Sequence, residues 1–148
     1  MKIFIGADHN GYELKKYISD FLARSNYEVV DDGDLRLDSQ DDFPQFAGRT
    51  VNAMLASNDS ESWAILICGS GQGMCMAANR FKGIRASLCW DINQARVSRN
   101  DDDSNVLCLP AAVLDDRSAE AIVLTWLNTP FAGAPRFQRR IKELDELS

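Results

Sequence analysis

The chain has 148 residues, of which 45% are hydrophobic and 26% charged, and its formal net charge at pH 7 is −6. This length suffices for one domain with a single core, and the negative charge argues against a nucleic-acid or anionic membrane surface as partner. No stretch approaches the roughly 18 consecutive apolar residues of a membrane span. Four cysteines and no apolar leader segment indicate a cytoplasmic protein with reduced thiols. We expect one domain over residues 1–148, with a C-terminal extension from about residue 130.

Short apolar runs alternate with amphipathic segments along the chain. In chain order they predict a strand at 2–8, a helix at 11–25, a strand at 27–33, a helix at 44–57, a strand at 63–68, a helix at 73–81, a strand at 84–89, a helix at 91–100, a strand at 105–110, and helices at 118–129 and 138–147. Because helices connect successive strands, the strands are expected to pair in parallel. The predicted fold is an α/β three-layer sandwich with about five parallel strands.

In such sheets, ligands bind beyond the carboxyl ends of the strands. This rule selects Asp8 and His9 after the first strand and the loop Gly69–Gly73 after the third. The loop reads GSGQG, which is one residue short of the dinucleotide fingerprint and lacks the Lys-Ser/Thr of a P-loop, so it supports nucleotide binding only weakly. Its bare backbone N–H groups at a helix N-terminus would suit an anion. The alternative is a tight turn that needs small residues only for packing.

Cys68 ends the third predicted strand, beside the positive end of a helix, which favours a thiolate. Such a thiolate acts either as a nucleophile on a carbonyl, as in Cys-His hydrolases, or as a general base whose enediolate product the loop amides hold. A hydrolase needs a histidine against the thiol, and His9 is the single histidine of the chain. One histidine does not make a convincing zinc site, so no metal is expected. Cys75, Cys89 and Cys108 fit the pattern of small buried hydrophobes.

Four stretches carry a family resemblance: GADHNGYELK, DDFPQFA, ILICGSGQGMCMAANRFKGIRA and SNVLCLP. In this order they resemble the sugar-phosphate isomerases of the ribose-5-phosphate isomerase B and galactose-6-phosphate isomerase type, from residue 2 to about residue 141. The resemblance implies a Rossmann-like domain in a homodimer or homotetramer, with active sites shared between subunits and a C-terminal helix reaching to the partner. It also implies aldose–ketose isomerisation of a sugar phosphate of the ribose 5-phosphate type, through an enediolate and without metal or cofactor.

The resemblance also assigns roles by position. It makes Cys68 the base that moves a proton between C2 and C1, and Ser70 the hydroxyl that assists proton movement between the two oxygens. The residues expected to bind the substrate or its phosphate are Asp8, His9, Phe43, Gly69, Gly71, Gln72, Gly73, Asp102, Arg136 and Arg140. The two arginines would grip the phosphate, which matches their planar guanidinium groups.

The chain departs from the family's usual residues within this expected site. Asp101 replaces the histidine that opens the cyclic sugar, Asp102 replaces its asparagine neighbour, and Ala112 replaces a further arginine. Phe43 stands where a tyrosine is usual, and Phe137 where a histidine is usual. Two added carboxylates would repel a dianionic phosphate unless they face away or stay protonated.

Three functions follow from these departures and stay open. In the first, the substrate is cyclic ribose 5-phosphate and Asp101 itself acts as the ring-opening acid and base. In the second, the substrate is an acyclic tetrose 4-phosphate, which cannot close a furanose ring and needs no ring-opening group. In the third, the chain is a non-catalytic subunit of an isomerase assembly. The retained Cys68 and Ser70 favour catalysis, whereas the aspartates at 101–103 favour the subunit.

Overall fold

The computed structural model describes residues 1–59 and 61–147. In chain order its elements are β1 (Lys2–Ala7), α1 (Tyr12–Arg24), β2 (Glu28–Asp31), α2 (Phe43–Ala56), β3 (Ser62–Cys68), α3 (Gln72–Ala78), β4 (Ala86–Leu88), α4 (Ile92–Asp102), β5 (Val106–Pro110), α5 (Asp116–Asn128) and α6 (Pro135–Asp145). Every predicted element is present, and the predicted ends differ from the observed ones by at most three residues. The largest differences are in α3, which ends at Ala78, and in α6, which begins at Pro135.

The strands form one sheet in the order β2-β1-β3-β5-β4, and all four pairings are parallel. This confirms the predicted parallel sheet. From β1 the chain moves to β2 on one side, and from there to β3, on the opposite side of β1, so the strand order reverses between β1 and β3. Ligands bind in the crevice at such a switch point. Because Ala7 is paired with Ile67, the residues that follow β1 and β3 begin side by side.

Two apolar cores cover the two faces of the sheet, as a three-layer sandwich requires. One core contains residues of α1, α4 and α5, and the other contains residues of α2 and α3. Strand side chains alternate between the cores: Ile65 and Ile67 belong to the first, whereas Leu66 and Cys68 belong to the second. The side chain of Cys68 therefore lies on the α2–α3 face.

Two helix starts show how local sequence sets the elements. Asp42 is the N-cap residue of α2 and Pro44 lies in its first turn, but the Asp42 side chain makes no capping hydrogen bond. Asp115 does cap α5, because its Oδ1 accepts the backbone N–H of Ser118 at 2.7 Å. Within the described ranges, no helix is long and apolar enough to cross a membrane.

Candidate active site

Cys68 lies at the carboxyl edge of the sheet, where both neighbouring strands hold the chain. The N–H of Ala111 donates to the Cys68 carbonyl at 2.9 Å, and the N–H of Asp8 donates to the Ile67 carbonyl at 3.3 Å. Only 5% of Cys68 is exposed. The thiol is thus almost excluded from bulk water and fixed next to the end of β1.

The glycine loop that follows presents unpaired backbone donors. Gly71 is the N-cap residue of α3 and has φ of +76°, a left-handed conformation that glycine adopts without strain. Among the residues that the structure describes, the N–H groups of Ser70 and Gly71 donate to no backbone carbonyl. The Ser70 hydroxyl oxygen accepts the N–H of Gln72 at 3.3 Å, so its own proton remains available. The loop can therefore donate hydrogen bonds to a bound anion.

Phe43 packs directly on this loop. A Cβ atom on Gly73 would lie 2.7 Å from Cζ of the Phe43 ring, so only glycine fits beneath that ring. This contact joins the start of α2 to the start of α3. It brings Phe43 to the same edge of the sheet as Cys68. The family resemblance predicts that both residues belong to the site.

Asp8 and His9 follow β1 and face the same crevice. The Asp8 carboxylate accepts the backbone N–H groups of Asn10 at 3.0 Å and of Gly11 at 3.2 Å. Only 5% of Asp8 is exposed. Burial raises the pKa of this carboxyl, while the Gly11 N–H and the His9 side chain oppose the rise. The turn therefore holds the Asp8 carboxyl in place next to His9.

The His9 ring is held by Asp41, a residue that sequence reasoning missed. His9 Nδ1 lies 2.6 Å from Asp41 Oδ1, and the same oxygen accepts the backbone N–H of His9 at 3.0 Å. Potential metal-ligating atoms of Asp8, His9 and Asp41 lie within 4.8 Å of one another, but the Nδ1 atom of His9 is already engaged with Asp41 Oδ1. The aspartate-rich run before α2 contains Asp41, yet nothing in the sequence distinguishes it from its neighbours.

The second group of expected site residues lies at the opposite edge of the sheet. Helix α4 begins after the carboxyl end of β4 and ends before the amino end of β5, so Asp101 and Asp102 lie at the amino edge. The four residue steps of β5 alone separate the two edges by about 13 Å. Asp101 and Asp102 therefore do not meet Cys68 of the same chain.

Arg136 and Arg140 belong to this second group. The segment before α6 is tied to the end of α4 by a hydrogen bond from the Ala132 N–H to the Asn100 carbonyl at 3.0 Å. Burial and the Asp101 carboxylate raise the pKa of Asp102, and the nearby guanidinium groups of Arg140 and Arg85 partly offset the rise. The two added carboxylates thus stand beside a cation of α6.

Two further residues, Ala112 and Cys75, lie close to the glycine loop at the carboxyl edge of the sheet. The N–H of Ala112 donates to the Gly69 carbonyl at 2.9 Å, so the position at which the resemblance predicts a further arginine adjoins the glycine loop, and alanine supplies no cation there. Cys75 of α3 is a second thiol near the loop. The Cys75 Sγ donates to the Ala86 carbonyl at 3.4 Å. Interaction with the Cys108 thiol lowers the pKa of Cys75 to about 7 despite its partial burial, whereas burial raises the pKa of Cys108. The sequence offered no signal for this pair.

Comparison with known proteins gives one consistent result. The family profile described as Ribose/Galactose Isomerase matches residues 3–144. Ribose-5-phosphate isomerase B of Mycobacterium tuberculosis is 36% identical over 146 residues, which are 99% of this chain and 89% of that protein. The Escherichia coli protein of the same name is 36% identical over 143 residues, 97% of this chain and 93% of that protein.

A solved structure extends the likeness to three dimensions. The crystal structure of ribose-5-phosphate isomerase B from Mycoplasma genitalium with bound ribulose-5-phosphate superimposes with a TM-score of 0.92 and 40% sequence identity. The superposition covers 97% of this chain and 93% of that chain. Fold and sequence therefore point to the same family.

Proposed function

Because the chain belongs to the Ribose/Galactose Isomerase family, we propose that it interconverts ribose 5-phosphate and ribulose 5-phosphate. The proposal also includes a single isomerase domain that works in the cytoplasm, consistent with four free cysteines. The observation that carries it is the juxtaposition, at one switch point, of the Cys68 thiol with a loop of free backbone donors. These two features are what proton transfer next to a carbonyl requires.

In the proposed mechanism Cys68, as thiolate, removes the proton from C2 of the open-chain aldose and returns it to C1. The N–H groups of Ser70 and Gly71 donate to the enediolate oxygen as negative charge develops. Ser70 moves a proton between O1 and O2. The Gln72 N–H occupies one lone pair of the Ser70 hydroxyl oxygen, which leaves its proton and the other lone pair for this exchange.

We further propose that each active site is completed by a second copy of the chain. Arg140, one of the two expected phosphate-binding arginines, acts on Asp102 near the amino edge of the sheet, and Arg136 belongs to the same helix, whereas Cys68 ends β3 at the carboxyl edge. A substrate that contacts both groups must lie between two subunits. In a two-fold symmetric dimer, the amino edge of one copy can complete the carboxyl edge of the other, and both sites are then equivalent.

The test of the proton-transfer role uses isotope exchange. In deuterium oxide, the wild-type protein should exchange the C1 and C2 protons of ribose 5-phosphate and ribulose 5-phosphate. Cys68→Ala should reduce this exchange by a factor of about 10² to 10⁴ or more, as expected for loss of a general base. Cys75→Ala is the matched control, because it removes a thiol from the neighbouring helix and should leave exchange close to wild type. Full exchange in Cys68→Ala would exclude Cys68 as the base.

Asp101 favours a second candidate substrate, an acyclic tetrose 4-phosphate. Its side chain occupies the position of the family's ring-opening histidine, and it accepts a hydrogen bond from Asn100 Nδ2 at 2.8 Å. Parallel assays with erythrose 4-phosphate, erythrulose 4-phosphate and ribose 5-phosphate separate the possibilities. Turnover of tetroses alone would replace the ribose assignment, and no turnover by a correctly assembled protein would favour the non-catalytic subunit.

A further inference from the structure

The His9 ring is fixed by one oxygen of a residue far away in the sequence. Asp41 Oδ1 lies 2.6 Å from His9 Nδ1 and also accepts the His9 backbone N–H at 3.0 Å, although the two residues are 32 positions apart. The Asp41 side chain is only 5% exposed. Two hydrogen bonds to a single buried acceptor leave the imidazole little freedom to rotate. The ring plane is therefore set by Asp41 and not by the strand alone.

This arrangement determines what the other ring nitrogen can do. Within residues 1–59 and 61–147, the His9 side chain makes no hydrogen bond except the one to Asp41, and 29% of it is exposed. With the Nδ1 proton committed to Asp41, a neutral ring has a bare Nε2, which accepts hydrogen bonds but cannot donate them. Nε2 can donate to a phosphate oxygen only when the ring carries both protons. Anion binding by His9 therefore requires the imidazolium.

The charges around His9 favour that form. The hydrogen bond to Asp41 raises the pKa of His9 most, the carboxylates of Asp8 and Asp38 act in the same direction, and partial burial opposes them. Asp41 Oδ2 is buried and has no hydrogen-bond partner in the described part of the chain. A buried carboxylate without a countercharge is costly. Protonation of His9 thus also stabilises Asp41.

We propose that Asp41 is a positioning residue that orients His9 and keeps it doubly protonated, so that Nε2 donates a charge-assisted hydrogen bond to the phosphate of the substrate. The identity of this anion rests on the proposed isomerase function. The orientation and charge of His9 rest only on the contacts of Asp8, His9 and Asp41. Asp41 touches no reacting atom and acts through the imidazole.

The first test reads His9 directly. His9 is the single histidine of the chain, so NMR of protein labelled with ¹³C-histidine gives its titration without assignment. Asp41→Asn keeps an acceptor oxygen and removes the charge, and it should move the midpoint to lower pH. Asp42→Asn is the matched control, because Asp42 is exposed and its side chain makes no capping hydrogen bond at the start of α2. It should leave the midpoint nearly unchanged.

A second readout connects the charge to binding. KM for ribose 5-phosphate should be similar for wild type and Asp41→Asn at low pH, where both rings are protonated. As pH rises, KM of the variant should increase first and reach about threefold to tenfold that of wild type, because one charge-assisted hydrogen bond is lost. The kcat should change less than KM. Asp42→Asn should follow the wild-type curve.

The pH dependence of protein stability provides a third test of the raised pKa of His9. A raised folded-state pKa means that the His9–Asp41 pair contributes its full stability below the unfolded pKa near 6.5 and loses it as pH rises through the folded pKa. The excess melting temperature of wild type over Asp41→Asn should therefore be largest at acidic pH, where the carboxylate is still ionised, and shrink toward alkaline pH.

Each outcome bears on one proposal. A wild-type midpoint below the ordinary value near 6.5, or the same midpoint in wild type and Asp41→Asn, overturns the role of Asp41 and needs no enzyme assay. A lowered midpoint with unchanged KM at every pH overturns the contact between His9 and the phosphate. Failure of wild type to isomerise any sugar phosphate overturns the proposed function, while the midpoints still decide the role of Asp41.

Discussion

At the scale of single residues, the glycine loop depends on one position more than on the others. Gly71 combines a left-handed φ of +76° with close packing, since a Cβ there would lie 2.4 Å from Leu88 Cδ1 and 3.2 Å from the Leu109 carbonyl carbon. Backbone conformation and available space both demand glycine at this position. Gly71, which has no side chain, therefore sets the direction of the backbone N–H groups in this loop.

Gly71→Ala should lower the free energy of unfolding by about 1–2 kcal/mol for the left-handed conformation, with a further loss of about 1–3 kcal/mol for the overlap with Leu88. Urea denaturation measures the difference. Gly83→Ala is the matched control, because Gly83 has a φ of +84° and open space around its Cβ position, so it should show only the first loss. Equal losses in both variants would mean that packing against Leu88 imposes no constraint.

At the scale of elements, the junction between α4 and β5 is held by a buried cation. Arg99 is 4% exposed, and its Nη1 donates to Asp103 Oδ1 at 2.8 Å. Its guanidinium also lies 4.1 Å from the centre of the Trp63 ring. Asp103 adopts a left-handed conformation, with φ of +48°, and ends α4. This junction fixes where Asp101 stands at the amino edge.

Asp103→Asn should destabilise the protein by about 1–3 kcal/mol, because a buried guanidinium loses its charged acceptor, while asparagine still tolerates the left-handed conformation. Urea denaturation at neutral pH tests this expectation. Asp102→Asn at the adjacent position is the control, because the Asp102 side chain makes no hydrogen bond or ion pair within the described residues, and it should change stability by less than about 0.5 kcal/mol. A loss as large in Asp102→Asn would assign the effect to general charge at the helix end.

At the scale of the whole molecule, the sheet separates the two groups of expected site residues. Asp8, Cys68 and the glycine loop follow strand ends at the carboxyl edge, whereas Asp101 and Arg140 lie where α4 and α6 meet at the amino edge. No side chain spans that distance within one chain. The proposed function therefore predicts that activity belongs to an assembly.

Mixing two inactive variants tests this prediction. Cys68→Ala and Arg140→Ala should each be nearly inactive alone, because each removes one half of every shared site. After denaturation and refolding together, half of the dimers should be mixed and contain one intact site, which gives about one quarter of wild-type activity. Co-refolding each variant with itself is the control. Absence of recovery in dimers shown to be mixed would place the complete site within one chain.

Much of the fold was predictable because its signals are local. Apolar runs and amphipathic spacing predicted all eleven elements, and the helices between strands required parallel pairing. The end of α3 and the start of α6 were misplaced by three residues, since the first and last turns of a helix depend on contacts outside the segment. The proximity of Asp8 to Cys68 also followed from the sequence, because carboxyl ends of parallel strands share an edge.

The sequence by itself determined the alternation of strands and helices, the thiol at the end of β3 and the bare backbone of the glycine loop. Only the tertiary structure decided that β5 lies between β3 and β4, that Asp41 rather than another aspartate of its run holds His9, and that the Cys75 thiol donates to the Ala86 carbonyl. The reason is physical. Local pattern specifies which elements form, whereas contacts between residues far apart in sequence depend on how those elements pack.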